Sequence, residues 1–563
     1  MKSDFIDLGY KKFLINKNST ILQAMKTIQN GEEGFCIVVD NNYNFINLIT
    51  DGDLRRSIVN GSKISDKIHN VKNRIPIVLT DKNLFQDSLK KINSRINILP
   101  YVNNNGKIIG VLKKRTILDE INIRSKKITI LGLGYVGLTL ALILVENGFE
   151  VIGYDNNENV IKNLKKFKPL FYEKGIYSLL KKHLGHNLKV TNKPSDLKSD
   201  IYIISVGTPL KKNSHTPNIS HIEKAVKLIS KKISKGNLII FRSTVPVGTT
   251  RNKSLPILEK NSHLKVGKDF YLSFCPERTV EGKALQELKK LPQIIGGYCQ
   301  KSTELSMRLF NEYTHTVVDA ESIEAAEFCK LIDNSYRDLI FAYSNELSIF
   351  AEKMNLNLPN IIDKVNLGYN RNSIPKPSPG VGGACLSKDP YLLNYSFNKI
   401  NLKSTMSIQG RYINEKMCNN IYNRFLKYLK SAKIKREECK IFISGFAFKG
   451  DPETSDLRDS TTIDFLNILK RNNFKDIKGH DFQVSRKEIL NLNIKYSSIE
   501  VGFTSSNIIF IMNNHKNYND LNMIKLIKNM KKPSLIFDSW NVFGNFDLSG
   551  FSGIKYMGIG FNK

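Results

Sequence analysis

The segment PGVGGACLSKDPY (379–391) concentrates the most reactive side-chain chemistry in this 563-residue chain. Cys385 follows Gly380, Gly382 and Gly383, with Lys388 and Asp389 three and four residues beyond it. A thiol beside a cation and backbone amides has the ingredients for a lowered pKa and for nucleophilic attack. The glycines make a flexible loop that can close on an anionic ligand. A cysteine in such a loop, taken alone, is structural more often than not, so its company decides. Lys330 and Asn334 stand four apart in a run with apolar residues at helical spacing, hence on one helix face. A cation beside an amide donor suits a developing alkoxide and then an oxyanion. Glu277 and Glu281, in CPERTVEGKA, are also four apart, and Glu277 follows Pro276 at a predicted strand end. They can orient water or a cofactor, or form a bland pair of surface carboxylates.

A second constellation lies upstream. In KITILGLGYVG, Gly132, Gly134 and Gly137 form G-x-G-x-x-G between a predicted strand and helix, enclosing Tyr135 and Val136. Gly132 allows the tight turn, Gly134 lets backbone approach a pyrophosphate, and Gly137 permits close helix–strand packing. The helix N-terminus then faces the phosphates. The next strand ends at Asp155, near the spacing at which an acid meets the ribose hydroxyls. Asn156 and Asn157 follow without an arginine, which favours NAD over NADP. The strand-like IYIISVGTP and LIIFRSTVPVGTT extend the sheet. Their small hydroxyl-bearing ends, with Thr208, Ser243 and Thr244, suit a nicotinamide pocket.

These residues need several domains to position them, and the length predicts three or four. Residues 1–124 read as strands alternating with helices, closing in the polar linker INIRSKK. Residues 125–318 read as α/β, 319–430 as helical on the pattern SIEAAEFCKLIDNSYRDLIFAYSNELSIFAEK, and 431–563 as a second α/β unit. Hydrophobic residues make up 41% and charged residues 24%, an ordinary globular composition. No apolar run is long enough for a membrane span and MKSDFIDLGY lacks the apolar core of a signal peptide, so a cytoplasmic location is the expectation. The seven cysteines are scattered without a CxxC pair, which argues against a disulfide framework or a zinc site. The formal charge of +33 is spread along the chain with no basic block, so it tolerates anionic ligands without pointing to nucleic acid.

In the first region, strand, Asn/Gly turn, strand and helix occur twice, around residues 35–61 and 99–121. With Thr50-Asp51-Gly52-Asp53-Leu54-Arg55 at the first strand–helix junction, this resembles a cystathionine-β-synthase-type (CBS) domain pair. The resemblance implies that Thr50 and Asp53 hold the ribose of an adenine nucleotide. The second copy has Lys113 and Thr116 at those places and lacks the acid. A purely structural or oligomerising module is the equal alternative.

From residue 127 onward, ILGLGYVGL, STVPVGTT, PERTVEGKA, the KLIDN helix, GVGGACLSKDP and GFAFKGDPETSDLRDS together resemble the UDP-glucose/GDP-mannose dehydrogenase family. The resemblance implies an α/β fold of two Rossmann-like parallel-sheet domains joined by a central helical domain. It implies a dimer or larger assembly built on the 320–353 helix. The implied activity is NAD-dependent oxidation of a UDP-sugar C6 alcohol to a carboxylate, without metal. Cys385 would be the nucleophile, and Lys330 with Asn334 would hold the reacting oxygen. Asp389 would assist proton transfer, Thr244 would position water, and Glu277 would serve in thioester hydrolysis. Glu281 and Arg458 would lie near NAD. Lys449 would contact the UDP-sugar, with Gly382 and Gly383 in the closing loop.

Arg337 and Arg371 are similar to the branch acting on UDP-N-acetylhexosamines, whereas Lys388 is typical of UDP-glucose enzymes, and Ala384 and Ser387 depart from common choices. UDP-GlcNAc or UDP-ManNAc is favoured over UDP-glucose. Two rivals remain: a catalytically silent regulatory protein, and a two-electron dehydrogenase, which would need neither Cys385 nor the C-terminal domain.

Overall fold

The computed structural model describes residues 9–73, 75–80, 98–103, 105–113, 123–212, 214–544 and 550–562. Contacts divide the chain after Ile123 into an N-terminal unit and a unit spanning Arg124–Lys563.

In the N-terminal unit the apolar run 35–39 becomes the wholly buried strand Phe35–Val39, paired antiparallel with Phe45–Thr50 and parallel with Leu14–Asn16. The helix Asp51–Val59 begins in a capping box. Thr50 Oγ1 accepts from Asp53 N–H, and the Asp53 carboxylate accepts from Thr50 N–H at 2.9 Å. Asp53 also pairs with Arg56 at 2.6 Å, and these partners outweigh burial to hold its carboxyl below the usual range. The two residues singled out for a ribose are thus engaged with each other, a cap worth about 1 kcal/mol to the helix. The second copy forms the antiparallel strands Ile98–Val102 and Ile108–Lys113. Its turn meets the first hairpin through Phe45 N–H donating to Gly106 O at 2.9 Å. The helix expected after it, with Thr116, lies outside the described residues, as does the side chain of Lys113.

The second unit carries two sheets. The first, in spatial order, runs Val317–Asp319, Gln293–Gly297, Tyr271–Phe274, Leu238–Phe241, Ile201–Ile204, Ile128–Leu131, Val151–Tyr154 and Leu188–Thr191. The last six strands are mutually parallel, while Gln293–Gly297 runs antiparallel to Tyr271–Phe274. Strands such as Ile128–Leu131 and Ile201–Ile204 are buried at every residue, so they read as unbroken apolar runs rather than alternating ones.

The helix Ile323–Lys353, capped by Ser322 Oγ on Ala325 N–H, packs chiefly against Thr405–Ala432. Outward it bears Phe328, Ile332, Tyr336, Tyr343 and Phe350, all exposed. The second sheet runs Lys495–Tyr496, Ile477–His480, Ile441–Ser444, Ile508–Ile511, Ser534–Asp538, Ile554–Gly558 and Phe561–Asn562, parallel except for the last strand. Two Rossmann-like sheets with a helical segment between them therefore frame whatever lies at their strand ends.

Candidate active site

A cleft of about 1280 Å³ lies at the carboxyl ends of the first sheet's parallel strands, where open α/β sheets bind ligands. Its lining includes Gly132, Gly134, Tyr135, Val136, Asp155, Thr208, Ser243 and Thr244. It also includes Glu277, Glu281, Lys330, Cys385, Lys388 and Arg458.

The glycine loop is shaped for a diphosphate. Gly132 has φ +94°, and a Cβ there would stand 2.9 Å from Ser205 O. A Cβ at Gly137 would strike Gly132 O at 1.8 Å. At Gly134, the N-cap of the helix Tyr135–Glu146, a Cβ would meet nothing within 4 Å. That free space at a helix N-terminus fits the pyrophosphate of NAD. Asp155 is aimed by accepting from Leu133 N–H (2.8 Å) and Asn157 N–H (2.9 Å). Its carboxylate would hold the ribose hydroxyls. The Thr208 hydroxyl donates to Thr244 O at 2.6 Å, tying together the loops that follow two adjacent strands. Ser243 donates to Ile204 O at 3.3 Å, and the Tyr135 hydroxyl donates to Glu173 and to Val280 O. We expect Gly134→Ala to leave the melting temperature unchanged and to weaken NAD about tenfold or more, measured by fluorescence titration. Equal affinity would remove the diphosphate from this loop.

Glu277 is held from two sides. The buried guanidinium of Arg242 donates to its Oε2 at 2.5 Å, and the backbone N–H groups of Arg278 and Thr279 donate to its Oε1 at 2.8 Å. Burial pushes its carboxyl up, but the Arg242 charge, these hydrogen bonds and the Lys330 charge carry it below the ordinary value. Such a carboxylate orients a partner better than it takes up a proton.

Lys330 is 7% exposed and its charge acts on both Glu277 and Cys385. It enters no hydrogen bond or ion pair among the described residues. Asn334, one turn on, donates to Asp389 Oδ2 at 2.5 Å, while Lys388 donates to Asp389 Oδ1 at 2.5 Å. Both Asn334 and Asp389 are buried behind the thiol rather than on the cleft wall.

Cys385 is the exposed one of the seven cysteines and opens on the cleft. Buried Cys36, Cys275 and Cys439, by contrast, have thiols pushed up to about 12, chiefly by burial. The lowered pKa expected of Cys385 is not found. Surrounding protein and the Asp389 charge push the thiol up, against the opposing pulls of Lys388 and Lys330. The physical reason is burial first, and then the Asp389 carboxylate, which offsets the Lys388 charge that the sequence offered.

The expectation of a flexible glycine loop is corrected as well. A Cβ at Gly380 would meet Asn414 O at 2.5 Å, at Gly382 Asp459 O at 2.6 Å, and at Gly383 the Phe448 ring at 2.7 Å. The glycines serve close packing against the helix Thr405–Ala432 and the C-terminal domain. Gly382 and Gly383 do not line the cleft.

Glu281 faces the C-terminal domain. Burial and the nearby Asp456 raise its carboxyl to about 7, against Arg458 and Lys449. Lys449 donates to Glu281 O at 2.7 Å, and burial lowers its ammonium to about 8. Arg458 approaches Glu281 at 3.4 Å and is bound to Asp456 at 2.6 Å. A carboxyl with a raised folded pKa stabilises the fold below its unfolded value, and that stability is lost as pH rises through the folded one. Between pH 5 and 8, Glu281→Gln should therefore flatten the fall of melting temperature with pH, gaining on the parent most at pH 8. Parallel curves would refute the assignment.

Lys449 touches the Glu281 backbone beside the cleft without lining it. Arg337 is exposed, outside the lining, and near enough to Lys449 to lower it. Arg371 is not brought to the thiol. It is exposed, with its guanidinium 4.8 Å from the Tyr369 ring, and the cleft of a single chain does not reach it.

Three residues escaped the sequence reading. Arg242 stands at the end of an otherwise apolar strand, a signal that it is buried and paired. Glu327 is fully buried and accepts from Gly248 and Thr250 N–H, fixing the STVPVGTT loop to the central helix. Arg411 reads as an ordinary surface residue of a polar helix, and only the fold shows it buried beneath the Cys385 loop.

Models of the UDP-glucose/GDP-mannose dehydrogenase family match this chain in three pieces. The NAD binding domain covers residues 126–314, the central domain 324–416, and the UDP binding domain 442–545. The UDP-N-acetyl-D-mannosamine dehydrogenase of Pyrococcus horikoshii is 33% identical over 74% of this chain and 96% of its own length. That of Campylobacter jejuni is 32% identical over 71% and 98%. A solved structure of the P. horikoshii enzyme superposes with a TM-score of 0.69 at 32% identity, covering 77% of this chain and 99% of its own.

Proposed function

We propose, since the chain belongs to the UDP-glucose/GDP-mannose dehydrogenase family of NAD-dependent nucleotide-sugar dehydrogenases, that it oxidises C6 of UDP-N-acetyl-D-mannosamine to a carboxylate through a thioester on Cys385. The carrying observation is the exposed thiol on the wall of the cleft that also holds the glycine loop and the unpaired Lys330. The sugar rests on the relatives, two of which bear that substrate in their names, and on Arg337. UDP-GlcNAc is the alternative among acetamido sugars, ahead of UDP-glucose.

NAD supplies the acceptor for two electron pairs, one from the alcohol and one from the thiohemiacetal. The balance is R–CH2OH + 2 NAD⁺ + H2O → R–COO⁻ + 2 NADH + 3 H⁺. Lys330 stabilises the alkoxide as the first proton leaves. The Cys385 sulfur then bonds to the aldehyde carbon, and the displaced carbonyl pair takes up a proton. Asn334 holds Asp389, which in turn holds Lys388 beside the sulfur. After the second oxidation a water placed by Thr244 and Glu277 cleaves the C–S bond, restoring the thiol. Glu281 and Arg458 lie at the NAD side, and Lys449 contacts the UDP moiety from the C-terminal domain. The test is NADH formed per sugar with UDP-ManNAc, UDP-GlcNAc and UDP-glucose in parallel. Two NADH with UDP-ManNAc support the reading, and one per sugar, or UDP-glucose preferred, defeats it.

The domain assignment follows: 125–318 for NAD, 319–430 for assembly, 431–563 for UDP-sugar. The exposed apolar stripe of the helix Ile323–Lys353 supports a homodimer on that face, and Tyr336→Glu should lower the mass seen by light scattering. Residues 1–124 act as a CBS-type pair that takes an adenine nucleotide at Thr50 and Asp53. Absence of ATP or AMP binding to the full chain by calorimetry would reject this. No described helix is long and apolar enough to cross a membrane. A cytoplasmic enzyme supplying a uronate for polysaccharide synthesis accords with that chemistry.

A further inference from the structure

Lys330, Asn334 and Asp338 fall at i, i+4 and i+8 of the central helix, hence on one face. Each has a different task. Asn334 reaches Asp389, four residues after the thiol. Asp338, fully buried, pairs through Oδ1 with Arg411 at 2.7 Å. Arg411, 2% exposed, then donates to Val381 O at 3.0 Å and to Leu386 O at 3.4 Å. These two carbonyls bracket Cys385, four residues before it and one after. Asn414, one turn on from Arg411, donates to both Asp338 O and Asp338 Oδ1 at 2.9 Å. Arg411 also approaches Glu415 at 3.4 Å.

A desolvated ion pair of this kind adds little net stability compared with an apolar isostere. Its planar fork, however, fixes direction at several acceptors at once, which a lysine cannot do. We infer that Arg411 is a positioning residue that sets the Cys385 sulfur at a fixed distance from Lys330 by tying both flanks of the thiol loop to the helix that carries the lysine. The inference rests on Cys385 being the nucleophile.

The two oxidations separate this role from a merely structural one. Loss of the alcohol's electron pair needs Lys330 and NAD but no sulfur. The second oxidation begins only when sulfur bonds to the aldehyde carbon, and an ångström of misplacement there costs about 100-fold. The experiment compares Arg411→Lys, Arg411→Met and Cys385→Ser with the parent holoenzyme. It reads NADH per UDP-sugar, aldehyde trapped by semicarbazide, NAD affinity, and the rate at which iodoacetamide labels Cys385 by mass spectrometry.

The expected result for Arg411→Lys is NADH per sugar falling from two toward one, with trapped aldehyde and acid formation down about 100-fold. The first oxidation and NAD affinity should stay near the parent's, and Cys385 should still be labelled. Arg411→Met should show the same split more strongly, and if it does not fold, Arg411→Lys alone decides. Two NADH at the parent rate in Arg411→Lys, or equal loss of both oxidations, overturns the positioning role. Two NADH from Cys385→Ser would instead overturn the nucleophile reading beneath it.

Discussion

Cys385→Ser should abolish acid formation, by about 10³-fold or more, while NAD binding and the melting temperature stay at parental values. The fold is indifferent to the change because the sulfur faces the cleft and is not part of an apolar cluster. The chemistry is not indifferent. A serine hydroxyl beside Asp389 stays protonated at neutral pH and adds poorly to an aldehyde, and an oxygen ester lacks the lability of a thioester. Rapid-quench sampling should find at most one NADH per sugar and, in the parent only, a covalent sugar adduct on the Cys385 peptide. An adduct elsewhere, or a serine variant that makes acid at the parental rate, would remove Cys385 from the reaction. The upward push on the thiol sharpens this expectation. Without substrate and NAD the sulfur is held protonated, so iodoacetamide labelling should be slow at neutral pH and rise as pH increases. NAD⁺ brings a positive charge into the cleft and should accelerate it.

The second large effect is at Lys330. Lys330→Ala should lower kcat about 10²- to 10³-fold, the loss typical of one oxyanion-stabilising group, with KM for the sugar changed far less. Lys330 has no partner of its own among the described residues, and Glu277 keeps Arg242 and two backbone N–H groups when the lysine is gone. Removal therefore leaves no unpaired buried charge, and the variant should fold. Because the lost element is a cation at a fixed place, added ethylamine should restore part of the rate. A KM effect without a kcat effect would make Lys330 a binding residue only. Loss of folding would mean that its charge supports Glu277 more than the reaction.

Much of this protein is legible from sequence because its key elements are local. The G-x-G-x-x-G loop, the acid at the next strand end and the i, i+4 pair Lys330–Asn334 are set by backbone geometry within about thirty residues. Central strands such as Ile128–Leu131, Ile201–Ile204, Leu238–Phe241 and Ile508–Ile511 are buried on both faces, so their unbroken apolar runs announce them without any knowledge of their neighbours. The reactive loop was likewise marked by composition.

What the sequence could not determine were properties that arise between segments far apart in the chain. Lys388 and Asp389 read as a cation beside the thiol, but whether that cation acts on sulfur depends on where the carboxylate points. Asn334, 55 positions upstream, fixes that carboxylate. The glycines at 380, 382 and 383 read as freedom to move, whereas Asn414, Asp459 and Phe448 make them sites of close approach. Arg411 gave no signal, because an arginine on a polar helix is ordinarily solvated and only tertiary packing desolvates it. Thr50 and Asp53 matched a ribose-binding pattern and also satisfied each other as a capping box, a local arrangement that the same two residues permit with or without a ligand. The chain's own order of residues therefore settles which chemistry is present, through short-range backbone rules. The direction of charges and the close packing around the thiol loop are settled only by the fold, since electrostatics and packing act through space.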